Sequence, residues 1–423
     1  MKKVLIIAHQ FPPMAGPGVQ RTSKFVKYLR GFGWEPVVLT RAIGKMAFRD
    51  ESMLSDIPSG IKIIYTKPHD LIEWPGFLSL AGKFISRKVL IPDGEYLWAR
   101  FSRKKAADAI THDKIDLIYS TSYPYSDHLL ALHLKNMHPN IPWVADFRDE
   151  WSNNPYLLEQ NRNKIRVNVE KNMEKKVLEA ADLVITNTPV MMKNFINNYG
   201  NLKSKFRVIP NGFDEDDFSG LTDIVPENDK FTITYTGALY GRRKPDTFFE
   251  ALMKLIENKT ISKDTIKVKL IGNIKSGYIN ALIDKYNLNG IVETTPYMKH
   301  EDSIKSLMAS DVLVLIEGAG PGSEAFYTGK IFEYMNANRP IIAVIPKNGA
   351  AAGLIRETKT GTVSDCTDVL GIMENIKEFY TAWSKKEIIY VPDKNEIAKY
   401  ERKALTSKLA DIFLFALRGK NIL

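Results

Sequence analysis

Short aliphatic and β-branched runs recur along this chain with amphipathic stretches between them, and that alternation leaves few folds open. Val4–Ala8, Pro36–Thr40, Ile61–Tyr65, Leu117–Ser120, Trp143–Asp146 and Leu183–Thr186 each read as a short strand, most of them separated by a helical stretch. The segment "FRVIPNGFDEDDF" adds one more strand and an Asn-Gly turn. After the polar stretch "GLTDIVPENDK" the alternation resumes, with strands predicted at Phe231–Thr236, Ile266–Ile271, Val312–Ile316 and Ile341–Val344. Helices are predicted at Asp246–Glu257, Ser276–Tyr286, Asp302–Ala309 and Thr328–Ala337, the last with Thr328 as its cap. Strands joined through helices pair in parallel and need cover on both faces, so the fold class is α/β. A chain of 423 residues is long enough for two such cores. The predicted domains are 1–219 and 231–394, joined by a linker at 220–230 and followed by a helix at 395–423. Two such sheets would turn the carboxyl ends of their strands toward a cleft, the usual ligand site of this architecture.

Composition narrows the function classes. Hydrophobic residues at 44% and charged residues at 26% are ordinary for a soluble globular protein. The single cysteine, Cys366, excludes a disulfide framework and suits a reducing cytosol. The N-terminal "MKKVLIIAHQFPPM" has two lysines and an apolar run, but the run ends at His9 and Gln10 without a cleavage site, so it reads as a first strand. No segment approaches the roughly 20 apolar residues that a membrane-spanning helix needs. The formal charge of +10 points to nucleic acid, an anionic membrane or an anionic ligand. Zinc-finger spacing and the aromatic RNA-binding signature are absent and the cations are dispersed, which argues against nucleic acid.

Three segments carry the candidate chemistry. In "HQFPPMAGPGVQR", Gly16 and Gly18 lead into a helix starting near Val19, where backbone amides can approach an anion; an ordinary tight loop has the same composition. In "GALYGRRKPDTFFEAL", Arg242, Arg243 and Lys244 lie between a strand end and a helix start, where a diphosphate or solvent must absorb their charge. In "TGKIFEYMNANRPIIAV", Lys330 and Glu333 share one helix stripe. Together they read as an exposed ion pair, or as a phosphate cation beside a carboxylate that accepts from a ribose diol.

Taken together and in order, "FPPMAGPGVQRTSKFVKYL", "GWEPVVLT", "DFRDEW", "VIPNGFD", "TGALYGRRKPDTFFEAL" and "TGKIFEYMNANRPIIAV" resemble the family-4 retaining glycosyltransferases over nearly the whole chain. The resemblance implies the GT-B fold, two Rossmann-like domains facing each other across a cleft, with the terminal helix returning to the first domain. It implies that Glu333 binds the donor ribose and that Lys330 and the basic turn hold the diphosphate, capped by the Gly16–Gly18 loop. The family usually has two glutamates with seven residues between them; Ala325 stands at the first position here, and Glu324 is the nearest glutamate. The basic residue that commonly follows the loop glycine is replaced by Ala238, so Arg242 or Arg243 is expected to substitute, with Lys244 third. Where many members use a histidine near the reacting sugar, this chain offers Asp146, Arg148 and Asp149, either an acceptor contact or a structural carboxylate–arginine network.

Between Leu71 and Lys105, Phe77, Leu80, Ala81, Phe84 and Ile85 fit one helical face, with Trp74 and Trp98 flanking the region and Lys83, Arg87 and Lys88 around it. Such a helix either packs on its own domain or lies in the headgroups of an anionic leaflet. The expected enzyme is a metal-independent retaining transferase that needs no cofactor, the nucleotide sugar, UDP-linked above all, being a substrate. By family analogy the acceptor is a lipid-linked glycan of surface polysaccharide synthesis, and the expected location is cytoplasmic with peripheral membrane attachment. A nucleotide-sugar epimerase and a non-catalytic sugar-nucleotide or membrane-binding subunit are the rival readings.

Overall fold

The computed structural model describes residues 1–14, 16–44, 49–73, 75–76, 78–160, 162–221, 224–226 and 229–419. Two compact units divide the chain: Met1–Asn211 with Arg402–Leu423, and Gly212–Glu401. The chain passes into the second unit ahead of the stretch expected as a linker. There Phe213 N–H donates to the Tyr400 carbonyl at 3.2 Å and Phe213 forms a bridge with Glu401.

The first unit is built on β1 (Lys2–Ile7), β2 (Trp34–Arg41), β3 (Lys62–Thr66), β4 (Leu117–Ser122), β5 (Trp143–Phe147), β6 (Leu183–Thr186) and β7 (Phe206–Val208). They form one sheet in the order β3-β2-β1-β4-β5-β6-β7, with every neighbouring pair parallel. Val4 to Ile7 are buried without alternation, as expected of a strand covered on both faces. The helix Pro17–Leu29 follows β1. Gly16 takes φ +134° at its cap, proline occupies its first position, and Gly33 at φ +81° closes the turn after it. The final helix, Arg402–Arg418, puts Leu405, Leu409 and Phe413 into the core that holds Val4, Ile6 and Phe25. The Phe413 ring meets Trp34 and Tyr119 edge-on at 5.1 and 5.6 Å. The predicted single helix from residue 395 is thus two, because Lys394–Ala398 is a separate turn of the second unit, capped by Asp393.

The second unit repeats the plan with β8 (Phe231–Thr236), β9 (Ile266–Ile271), β10 (Val292–Thr295), β11 (Val312–Ile316), β12 (Ile341–Val344) and β13 (Gly361–Ser364). Their order is β10-β9-β8-β11-β12-β13, again all parallel. In each sheet the order reverses beside the unit's first strand, between β1 and β4 and between β8 and β11. The crevice beyond the strand carboxyl ends at such a reversal is where doubly wound sheets bind ligands.

Candidate functional site

The carboxyl edge of the second sheet gathers the cations expected there. β8 ends at Thr236, and the next residue, Gly237, has a φ of +109° that suits glycine. A Cβ at Gly237 would stand 2.7 Å from Lys330 Cε, so the absence of a side chain there is what lets Lys330 lie across the loop. Lys330 Nζ donates to the Tyr235 hydroxyl at 2.5 Å and sits 3.9 Å from that ring's centre, and the hydroxyl donates in turn to the Ala238 carbonyl at 2.9 Å. Burial, then the neighbouring Arg243 charge, push the half-buried Lys330 ammonium down to about 7, against a pull upward from Glu317 and Glu333.

Arg243 Nε donates to Glu317 Oε2 at 2.8 Å, and its guanidinium lies 5.1 Å from the centre of the Tyr240 ring. Glu317, the first residue after β11, therefore absorbs part of the charge of the basic turn, a role expected of ligand or solvent. Arg242 donates to the Pro321 carbonyl at 3.2 Å and lies against Gly318 and Gly320, where a Cβ would meet its backbone carbonyl or guanidinium within 2.5 Å. Lys244 is exposed. The structure thus draws Arg243 and Lys330 together, ties Arg242 to the loop after β11, and leaves Lys244 at the rim.

The helix carrying Lys330 and Glu333 spans Lys330–Asn336, not Thr328–Ala337. Thr328 is buried and gives its carbonyl to Ile331 N–H at 3.3 Å, while the cap position falls to Gly329 without a side-chain bond. Glu333 Oε1 lies 2.9 Å from His300 Nε2. Glu324 is exposed on the short turn Ser323–Ala325 after Gly322.

In the first unit the triplet at the end of β5 splits. Asp146 is fully buried and takes both ends of the Arg21 fork, from Nε at 2.8 Å and Nη2 at 2.9 Å, with further bonds from the Tyr119 hydroxyl at 2.5 Å and Thr121 Oγ1 at 3.2 Å. Burial pushes the Asp146 carboxyl up, and the charge and hydrogen bonds of Arg21, with that of Tyr119, outweigh it and hold it below its ordinary value. Arg21 also donates to the carbonyls of Ile209 at 2.9 Å and Pro210 at 2.8 Å. Asp146 thus sits within the carboxylate–arginine network, one of the two readings open for it from the sequence. Arg148 is likewise spent on backbone, donating to the carbonyls of Gly18, Ser122 and Tyr123. A Cβ at Gly18 would fall 2.0 Å from Gln10 Oε1, the movable end of a flexible side chain, whereas Gly16 is exposed beside open space. Asp149 is half-buried and its carboxylate takes no hydrogen bond among the described residues; burial raises its pKa against the pull of Arg148.

The helix Leu78–Phe84 runs into a π-helical turn, Ile85–Val89. Its buried side consists of Gly82, where a Cβ would strike the Leu71 carbonyl at 1.9 Å, and of Ser86. Leu80 at 74%, Phe84 at 63% and Val89 at 56% exposure face solvent, with Arg87 and Lys88 exposed and Lys83 half-buried. Trp74 and Phe77 lie outside the described residues.

The family model for Glycosyltransferase Family 4 matches residues 18–217, and that for Glycosyl transferases group 1 matches residues 222–403. The chain belongs to the family-4-type glycosyltransferases. Its two Rossmann-like units are the GT-B architecture, and solved structures share it along the full length. A glycosyltransferase from Rickettsia africae ESF-5 superposes with a TM-score of 0.70 at 15% identity, covering 99% of each chain. Sucrose-phosphate synthase from Thermosynechococcus elongatus gives 0.66 at 16% identity, covering 98% of this chain and 100% of that one. WaaG, a glycosyltransferase involved in lipopolysaccharide biosynthesis, gives 0.60 at 14% identity, covering 97% and 99%. At these identities the likeness speaks for the fold alone, and no sequence relative among curated proteins matches the chain.

Sequence reasoning about this glycosyltransferase missed Glu317, Tyr235 and His300. Glu317 had a readable signal, a carboxylate directly after the strand "VLVLI". His300 had none, because its partner lies 33 residues on and the two share no element. Among the described residues no helix is long and apolar enough to cross a membrane.

Proposed function

We propose that this glycosyltransferase moves a sugar, with retention at the anomeric carbon, from a UDP-type nucleoside-diphosphate sugar to a hydroxyl of a lipid-linked glycan in surface polysaccharide synthesis. The observation that carries the donor half is Lys330, seated on Gly237 beside Arg243 and one helical turn from the Glu333 carboxylate. Two cations and a carboxylate at one sheet edge match the diphosphate and the adjoining pentose of a sugar nucleotide. As the glycosidic bond breaks, negative charge builds on the leaving diphosphate. Lys330 and Arg243 stabilise it there without a metal ion, which makes them selective for the transition state. Arg242 and Lys244 extend the cationic rim, and Glu324 is the carboxylate offered to the transferred sugar.

The acceptor half is supported by the Leu78–Phe84 helix. A helix that buries glycine and serine while exposing leucine and phenylalanine beside cations has the polarity of a surface meant for an apolar phase bordered by anions. The test of the donor assignment is a thermal-shift series with UDP, GDP, ADP and dTDP sugars on wild type and Glu333→Ala. A matching donor at a hundredfold its Kd raises the melting temperature by about 5–10 °C, and Glu333→Ala reduces the shift. If no nucleotide stabilises the wild type, the donor assignment fails.

A further inference from the structure

His300 opens the helix His300–Met308, which Ile304 and Leu307 anchor in the core of the second unit. Glu333 projects from a different element, the Lys330–Asn336 helix, itself fixed by buried Ile331, Phe332, Tyr334 and Met335. The two side chains meet at 2.9 Å, Nε2 to Oε1, and neither is fully buried, at 38% and 23% exposure. Nε2 must carry the proton, because an ionised carboxylate only accepts. Among the described residues this is the one hydrogen bond of the Glu333 carboxylate, so Oε2 and a second lone pair of Oε1 stay open to an incoming donor group.

A lone glutamate on a helix surface samples several rotamers, and a carboxylate that must accept from two vicinal hydroxyls loses affinity with each wrong one. A ring fixed to a separate rigid helix removes that freedom before the ligand arrives. We propose that His300 is a positioning residue that pins Glu333 Oε1 and aims Oε2, and that this contact makes the enzyme select nucleotides carrying an intact ribose diol. The inference rests on the reading of Glu333 as the ribose-binding carboxylate. His300 acts through Glu333 and is not required to touch the nucleotide.

The test uses the full chain and calorimetric binding of two probes, UDP and 2′,3′-dideoxy-UDP, to wild type, His300→Ala, His300→Gln and Glu333→Ala. Wild type prefers UDP; Glu333→Ala abolishes the preference. His300→Ala weakens UDP by about three- to tenfold, the usual worth of one hydrogen bond, while dideoxy-UDP binding changes less than about twofold. That second number shows that the variant is folded. His300→Gln, whose amide N–H can replace the Nε2 proton, restores most of the preference. Equal weakening of both probes by His300→Ala, or UDP affinity left within about twofold, overturns the positioning role. If instead Glu333→Ala keeps the preference for UDP, or UDP does not bind the wild type, the ribose assignment itself falls.

Discussion

Replacing Asp146 by asparagine separates a structural carboxylate from a catalytic one. The side chain keeps its shape, but the charge goes, and one of the oxygens facing the Arg21 fork becomes an N–H₂ group that opposes another donor. Arg21 is 1% exposed, so its charge would remain in the interior with only neutral partners, the surviving amide oxygen, the carbonyls of Ile209 and Pro210 and the Asn211 side chain. Breaking one partner of a buried pair costs about 3–5 kcal/mol. With a urea slope of about 3 kcal/mol/M for a unit of this size, the midpoint falls by at least about 1 M. Tryptophan fluorescence reads the right unit, since Trp34, Trp98, Trp143 and Trp151 are all fully buried in it. The substitution Arg21→Met together with Asp146→Leu recovers part of the loss, limited by the carbonyls that Arg21 leaves unpaired. A pH series adds a signature. Because the folded carboxyl is held below its unfolded value of about 3.9, its contribution is present above that pH and disappears as the pH falls through the lowered value. A midpoint shift under about 0.3 M together with lost turnover would refute the reasoning and return Asp146 to the chemistry.

Two further outcomes follow from the geometry. With Lys330 pushed down to about 7, the free protein holds it largely neutral at pH 8, and a diphosphate favours the charged form. UDP binding therefore takes up a proton, and affinity falls between about pH 7.5 and 9.5 by up to about tenfold per unit. In Lys330→Arg the calorimetric profile is flat over that range; a wild-type profile equally flat contradicts the assignment. For the membrane surface, the protein floats with phosphatidylglycerol vesicles at low salt, and 0.5 M salt or Leu80→Ser with Phe84→Ser weakens binding by at least about tenfold. Absence of flotation at every salt concentration removes the membrane proposal.

Most of the sheet framework could be read from apolar runs, because a strand covered on both faces must be continuous in hydrophobic residues. Val312–Ile316 and Ile341–Val344 occur as expected. β10 and β13 did not announce themselves. "VETT" buries only Val292, and "GTVS" holds a single aliphatic residue, its Gly361 serving a backbone approach in which a Cβ would lie 1.9 Å from the Ile341 carbonyl. At the site, Lys330, Arg243 and Glu333 were readable because loop and helix cues place them locally. The Arg243–Glu317 and His300–Glu333 contacts span 74 and 33 residues and depend on tertiary placement. Asp146 stayed open between two readings for the same reason, since its partner Arg21 lies 125 residues away. In the Leu78–Phe84 helix the apolar residues looked equally suited to the core. Tertiary placement puts Gly82 and Ser86 on the inner side and leaves Leu80 and Phe84 exposed, which no residue pattern announced.

The central claim is that the carboxyl edge of the second sheet holds a sugar nucleotide through Lys330, Arg243 and Glu333. A crystal structure of the protein soaked with UDP tests it directly. The account predicts diphosphate oxygens within about 3.2 Å of Lys330 Nζ and of the Arg243 guanidinium, with the ribose hydroxyls on Glu333. A nucleotide bound with its phosphates away from Gly237 and Lys330, or with Glu333 still turned only to His300, would contradict it.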